Sequence, residues 1–337
     1  MGFLLNAFFI KINSIKIIFK IILTLLIFLI YKVIIYYVYK IILYDYVKMK
    51  IKFVPIVFLL YISIIYADIN TLFNIGMDDV VINTNNKHQL YFEQSFAGGY
   101  NFIKFNAETK LYYRTSIYND DRTNKIFQNT KLDLGIENNF SLSSDMIGLF
   151  ADIRPLSFFG IRVNAYFNYI YNIMNFGYAG FDNNNVDYSY GSLLGMSKTD
   201  AMGVVAGVTP YFLYKLPYVI FINSTSFNYV FAGDKNYYYD SRTAILHKKS
   251  EFEIMNDFFI LANISPFYIG ASYALTYLVN SNILTHKLAI VGFISFKFLQ
   301  NRLSLDILAS SGLHVKLPYY NSSTFIEAKA SLVYKIL

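Results

Sequence analysis

The chain has 337 residues, 55% hydrophobic, 19% aromatic and only 15% charged, a balance too apolar and too aromatic for an ordinary soluble domain. It has no Cys, which excludes disulfides and thiolate metal sites. The net charge of +7 resides in residues 1–67, where Lys11, Lys16, Lys20, Lys32, Lys40, Lys48, Lys50 and Lys52 oppose Asp45 alone, so the basic balance is no argument for a nucleic-acid partner.

Two apolar blocks precede Asp68. In the second, Met49–Ala67, Lys50 and Lys52 form a basic start, Phe53–Tyr66 an apolar run, and Ala67 a small residue at the cleavage position. That is the pattern of a secretory signal peptide, 49–67. Residues 1–48 consist almost wholly of types that AT-rich sequence encodes by default. They read as a mis-assigned upstream extension with Met49 as the true start. The rival reading is an apolar transmembrane helix over Ile15–Leu43, interrupted by Lys16, Lys20, Lys32 and Lys40.

Residues 68–87 are weakly patterned and are expected to form a periplasmic lead, a plug or an extra strand. From His88 onward the period is two, the strand period. Leu90, Phe92, Gln94 and Phe96 alternate with Tyr91, Glu93 and Ser95. Gly98-Gly99 reads as a tight reversal, 101–118 as a long strand and 119–124 as a polar turn. Strands are predicted over 130–140, 146–154, 161–171, 201–213, 218–231, 251–262, 267–278, 287–299, 303–313 and 325–336. The hairpin 146–171 is the clearest: Ile161, Val163, Ala165, Phe167, Tyr169 and Tyr171 share one face and Arg162, Asn164, Tyr166 and Asn168 the other. Segments 175–200 and 232–249 read as long polar loops.

An apolar strand followed by x-x-Pro and an aromatic-rich strand recurs in ADIRPLSFFG (151–160), AGVTPYFLYKLP (206–217) and LANISPFYIG (261–270). Pro cannot donate to a ladder, so these prolines are expected at strand starts and turns. The short breaks at 155–158, 215–217, 263–266 and 300–302 all fall on one side of such a meander. The segments 176–200, 232–250, 279–286 and 314–324 fall on the other.

The fold expected is all-β, an antiparallel up-and-down transmembrane β-barrel of about 12 strands over 88–337, with 10 or 14 as alternatives, preceded by an apolar helical leader. A strand in lipid must satisfy its backbone bonds, and only a closed barrel does so without edges. The signal peptide, meander, Pro-marked turns and apolar last strand (Ile326, Ala328, Ala330, Leu332, Tyr334 and Ile336) resemble bacterial outer-membrane β-barrel proteins as an architecture. That resemblance implies the bacterial outer membrane as location, and the lipid bilayer and the outer-membrane assembly machinery as partners.

The opposite row carries both charge signs. Lys131, Asp133, Glu137, Asp152, Arg154, Arg162, Glu251, Glu253, Asp257, Lys297, Asp306, Glu327 and Lys329 are expected to line the lumen, with Lys287 and Lys335. Two consequences stay open: a polar pore lining, or interior salt bridges that plug a narrow barrel. The four histidines, His88, His247, His286 and His314, show no paired ligand spacing and read as scattered surface residues. Asp234, Asp240 and His247 share one loop, but nothing in sequence fixes their geometry. Tyr237-Tyr238-Tyr239 reads as loop aromatics resting on the rim. No phosphate-binding or dinucleotide motif occurs. A porin-like passive channel for small polar solutes or ions is the leading expectation, and a closed barrel acting as a surface-exposed structural, adhesion or antigenic protein the alternative. No enzyme activity, cofactor or metal is expected.

Overall fold

Alternation at period two becomes strand wherever the computed structural model describes the chain, residues 88–100, 104–118, 126–127, 129–173, 175–299 and 301–336. The readings made for 1–48, 49–67, 68–87 and 119–124 lie outside the described residues. Twelve strands close into one antiparallel barrel. In chain order they are β1 (His88–Tyr100), β2 (Lys104–Thr115), β3 (Lys131–Ser141), β4 (Ser144–Leu156), β5 (Phe159–Ile170), β7 (Ala201–Lys215), β8 (Val219–Ala232), β11 (Ser250–Ile264), β12 (Phe267–Leu278), β13 (Ile283–Phe298), β14 (Leu303–Lys316) and β15 (Ser323–Lys335). Each pairs with its sequence neighbour among them. β15 closes on β1 through ten registered pairs from Tyr91↔Lys335 to Tyr100↔Ile326, so no edge strand is left open.

The segments between barrel strands hold β6 (Gly180–Phe181), the short helix α1 (Tyr190–Gly195), β9 (Tyr237–Asp240) and β10 (Ile245–Lys248). β6, β9 and β10 form a separate three-stranded sheet. Both ends of the barrel chain lie at one rim, with the tight turns 157–158, 216–218 and 265–266 and the one between Phe298 and Leu303. The opposite rim carries the segments between β5 and β7 and between β8 and β11. This divides the segments as the meander implied.

Two faces result from the alternation. Phe96, Ile136, Leu149, Phe167, Ile290 and Ile326 stand exposed on the outside of the barrel wall. Aromatic pairs such as Phe159–Phe212 and Phe296–Phe298 gather near one rim and Phe140–Tyr171 near the other. The strands run from 11 to 16 residues. At ~3.3 Å per residue and a tilt of ~40°, the shortest still rises ~28 Å, enough for the ~25 Å apolar band of a membrane barrel. An exposed apolar belt of that height between aromatic rims is a lipid-facing surface.

Two local expectations are corrected. Gly98 and Gly99 are not a reversal: they continue β1, paired with Phe105 and Lys104 of β2, and the reversal falls after Tyr100. Both glycines keep the extended backbone, which the pairing on both flanks of β1 favours. Pro210 lies inside β7 rather than at a turn. It faces Ile161 of β5, at a point where the β7–β8 ladder lapses between Val208↔Phe227 and Tyr211↔Ser224. The missing N–H is tolerated because no bond is asked of it there.

Candidate functional site

The inward row has two walls. From β15 through β5 it is charged. Glu108 accepts a bond from Lys329 Nζ at 2.7 Å and is also paired with Lys110, and Lys110 reaches Glu93 at 3.4 Å. Ser331 donates to Glu93 at 3.2 Å and meets Ser95 at 2.9 Å. Arg114 grips Asp133 with two bonds of 2.7 and 2.8 Å, and Lys131 joins the same carboxylate at 2.7 Å. Arg162 pairs with Glu137, which also accepts from Tyr166 Oη at 3.0 Å, and the guanidinium lies 4.1 Å over the Phe150 ring. Tyr211 Oη, on β7, donates to Asp152 at 2.7 Å with Arg154 beside it. The ladder register explains these pairs. Glu93↔Lys110↔Glu137 and Arg114↔Asp133 are directly opposed on adjacent strands.

The other wall carries an apolar cluster, flanked by the buried Asp257 and Asp306. Tyr211, Leu213, Ile220, Ile222, Phe259, Leu261, Val291, Phe293, Leu308 and Phe325 form one buried cluster from β7, β8, β11, β13, β14 and β15. Along β12 the middle inward positions are Gly270, Ser272 and Ala274, small residues that leave room for it, while Tyr268 packs against the cluster. Side chains on both walls are buried: Glu253, Ser331, Phe259 and Leu308 are each 0% exposed.

Segments 171–200 and 233–249 fold together as a cap over the rim opposite the termini. Its own core is Ala179, Phe181, Tyr188, Leu193 and Leu246. It is seated on the barrel at two places. Tyr178 and Tyr238 pack on Val205, Val230 and Ala232, and Ala244 and Ile245 pack on Leu278 and Leu317. Tyr238 is 1% exposed, so the Tyr237-Tyr238-Tyr239 run is strand β9 of the cap, not loop aromatics on the rim. The reason is the register Tyr238↔His247 and Tyr238↔Gly180, which turns alternate side chains into the mouth.

Gly233 is the point where β8 leaves for the cap. Its φ is +68°, and a Cβ there would sit 2.1 Å from the Tyr178 ring. Gly233→Val is therefore expected to add about 1–3 kcal/mol of backbone strain and to push Tyr178 off its seat. Trypsin should nick 233–249 roughly tenfold faster or more, with the heat-modifiable gel shift of the barrel retained. Unchanged nicking would show that the cap does not hang on this contact.

At the cap–barrel seam, β9, β10 and β11 bring Asp240, His247 and Glu253 together. His247 is fully buried; scattered surface exposure is corrected for this one histidine. Its Nδ1 lies 3.8 Å from Asp240 Oδ2 and 3.5 Å from Glu253 Oε1, while Nε2 is 2.7 Å from Thr243 Oγ1. Arg242 Nη2 bonds Asp240 at 2.6 Å and Glu253 at 2.9 Å. Burial works to raise the Asp240 pKa, but the Arg242 guanidinium, the His247 ring and bonds from Arg242 outweigh it and hold the carboxyl at about 2. These three side chains are the described residues that could hold a metal ion.

Every charged residue picked from sequence falls on the inward row, because each is registered opposite another inward position. Lys131, Asp133, Glu137, Asp152, Arg154, Arg162, Asp257, Asp306 and Lys329 are buried in the barrel; Glu327 is half-buried and Lys297 exposed at a rim. Glu251 fastens the β12–β13 turn instead, its carboxylate accepting from the Asn280 backbone N–H at 2.7 Å and from Ser281. Glu253 belongs to the seam cluster. Sequence reasoning missed Glu93, Glu108, Lys110 and Arg114. The signal available was parity: Glu93 alternates with the apolar residues of 90–96, and Glu108, Lys110 and Arg114 share even positions along 101–118. Of the loop trio, Asp240 and His247 do meet, and their partner is Glu253 rather than Asp234.

No protein-family model matches the chain, and no curated protein sequence does. Solved structures do. The NanC porin is 9% identical, with a TM-score of 0.38, over 73% of this chain and 100% of that one. The translocator domain of the autotransporter NalP from Neisseria meningitidis is 10% identical, with a TM-score of 0.37, over 76% of this chain and 91% of that one. OmpT, an outer membrane protein of Vibrio cholerae, is 6% identical in its trimer form, with a TM-score of 0.32, over 74% of this chain and 98% of that one. The barrel of this chain itself rests on its own strand pairing.

Proposed function

We propose that the protein is a surface-exposed barrel of a bacterial outer membrane, shut as it stands, that works through its folded cap rather than through a standing pore. The observation that carries this reading is the dry interior. A passive pore keeps its lining wet, whereas here the charged wall is consumed in mutual ion pairs and the apolar wall is packed. The orientation follows from the turns: in barrels of this membrane the short turns face the periplasm and the longer segments face outward, which puts the cap on the cell surface. Its outer side offers the exposed Asp182–Asn185 stretch, Tyr190 and Leu194 to the surroundings. Lipid bilayer and the assembly machinery are its general partners.

Planar-bilayer recording tests the reading. Purified, refolded protein is expected to give no sustained conductance at low voltage, and to stay silent when 178–198 and 236–248 are replaced by short linkers, because the plug lies in the wall residues below. Steady ohmic steps from the intact protein would overturn it. A porin-like channel that opens on release of the cap is the second reading. What favours it is the concentration of both charge signs on β1–β5, where rearranged pairs would leave a polar path. Its signature is conductance that appears only in the capless variant.

A further inference from the structure

We propose that Asp240, His247 and Glu253 bind a single divalent cation of the zinc class, which staples the cap to the barrel. Asp240 and His247 stand on β9 and β10 of the cap, and Glu253 stands on β11 of the barrel wall. A cation held by all three would join the two parts at the mouth. This does not depend on whether the barrel conducts.

The first observation is the state of His247. The ring is fully buried, and Nδ1 has no hydrogen-bond partner although two carboxylate oxygens face it within 4 Å. A buried polar nitrogen left in that state is costly. The second is the spacing. The three ligand atoms lie within 4.8 Å of one another. Metal bonds of ~2.0–2.2 Å at tetrahedral angles hold ligand atoms ~3.3–3.6 Å apart. The His247–Glu253 edge of 3.5 Å already meets this and the His247–Asp240 edge of 3.8 Å nearly does. The third is the support around the ring. Nε2 lies 2.7 Å from Thr243 Oγ1, so in the tautomer that carries its proton on Nε2 this contact holds the ring with the Nδ1 lone pair toward the carboxylates.

Arg242 keeps the place of the cation. Its guanidinium bridges the two carboxylates, yet its side chain is 24% exposed, more than that of Asp240, His247 or Glu253. With Arg242 in place, the two carboxylates and the guanidinium sum to one net negative charge. A divalent cation in its stead brings that sum to zero, which suits a buried site better. One imidazole nitrogen and two carboxylate oxygens favour zinc and its neighbours. Calcium and magnesium ask for six or more oxygen ligands, counting waters.

The test titrates tag-free, full-length protein in detergent with Zn²⁺ by calorimetry and with Co²⁺ by visible absorption. One saturable equivalent and a Co²⁺ absorption band are expected, and Zn²⁺ should slow tryptic nicking of 233–249. His247→Ala and Glu253→Gln should each weaken Zn²⁺ binding at least ~10-fold. Arg242→Ala should strengthen it, because the competing cation is gone. No saturable equivalent in the parent protein, binding unchanged in both ligand variants, or weaker binding in Arg242→Ala would each overturn the proposal. If the ligand variants fail to show the gel shift of a folded barrel, Arg242→Ala decides alone.

Discussion

Glu108→Leu is expected to destabilise the barrel by about 3–5 kcal/mol, the cost of removing one member of a buried charge network. Its carboxylate is shared by Lys110 and Lys329, and all three side chains are 1–3% exposed. Once it is gone, Lys110 and Lys329 lose the carboxylate they share, and Glu93, 3.4 Å from Lys110, is left to balance more buried positive charge. Unfolding in urea, followed by circular dichroism because the chain has no Trp, measures the effect. Glu327→Leu is the control. It breaks a 3.7 Å pair with Lys287 whose side chains are 19% and 15% exposed, and should cost under about 1 kcal/mol, as partly solvated pairs do. If Glu108→Leu costs as little as the control, water reaches the charged wall, and the shut lumen is wrong. The experiment therefore bears on function as well as on stability.

Leu149→Arg is expected to cost about 2–4 kcal/mol when measured in lipid vesicles, the penalty for a cation at the middle of a membrane barrel's outer face. Leu149 lies at the centre of β4, 65% exposed, opposite Ile136 and Ala165 on the flanking strands. In a water-soluble barrel so exposed a site would accept Arg within about 0.5 kcal/mol. The two cases differ by enough to decide between lipid and water on the outer face. Tyr218 is 78% exposed in a turn at the rim near the termini. There Tyr218→Arg should cost no more than about 1 kcal/mol, since the guanidinium reaches the interface. Equal, small effects at both positions would remove the membrane from the account.

The cap is where the interior and the surface meet. Its seat closes the mouth with Ile245 against Leu278, while Ser143 and Ser241 hydroxyls at 3.2 Å tie it to the β3–β4 turn. A cap fastened to several strands is a rigid feature of the surface. The Gly233 hinge and the Asp240–His247–Glu253 seam are the two places where a small change would loosen it.

What the sequence determined by itself is the barrel: twelve strands from His88, their two faces, and the division of segments between the rims. The reason is that side-chain alternation is a property of each strand alone, and lipid demands one apolar row per strand, so Ile161–Tyr171 declares its outer face without knowledge of any neighbour. Gly98-Gly99 misled because a local turn propensity is weaker than pairing on both flanks, and Pro210 because its missing N–H falls where the β7–β8 ladder lapses. Only the tertiary structure decided what the inward row does. Whether Glu137 faces open water or Arg162 depends on the register between β3, β4 and β5, which closure of the ring imposes and no single strand encodes. The same holds for the cap. Phe181, Tyr238 and Leu246 look like residues of polar loops until β6, β9 and β10 pair. Asp240 and His247 become a site only where that sheet settles against Glu253 on the wall of the barrel.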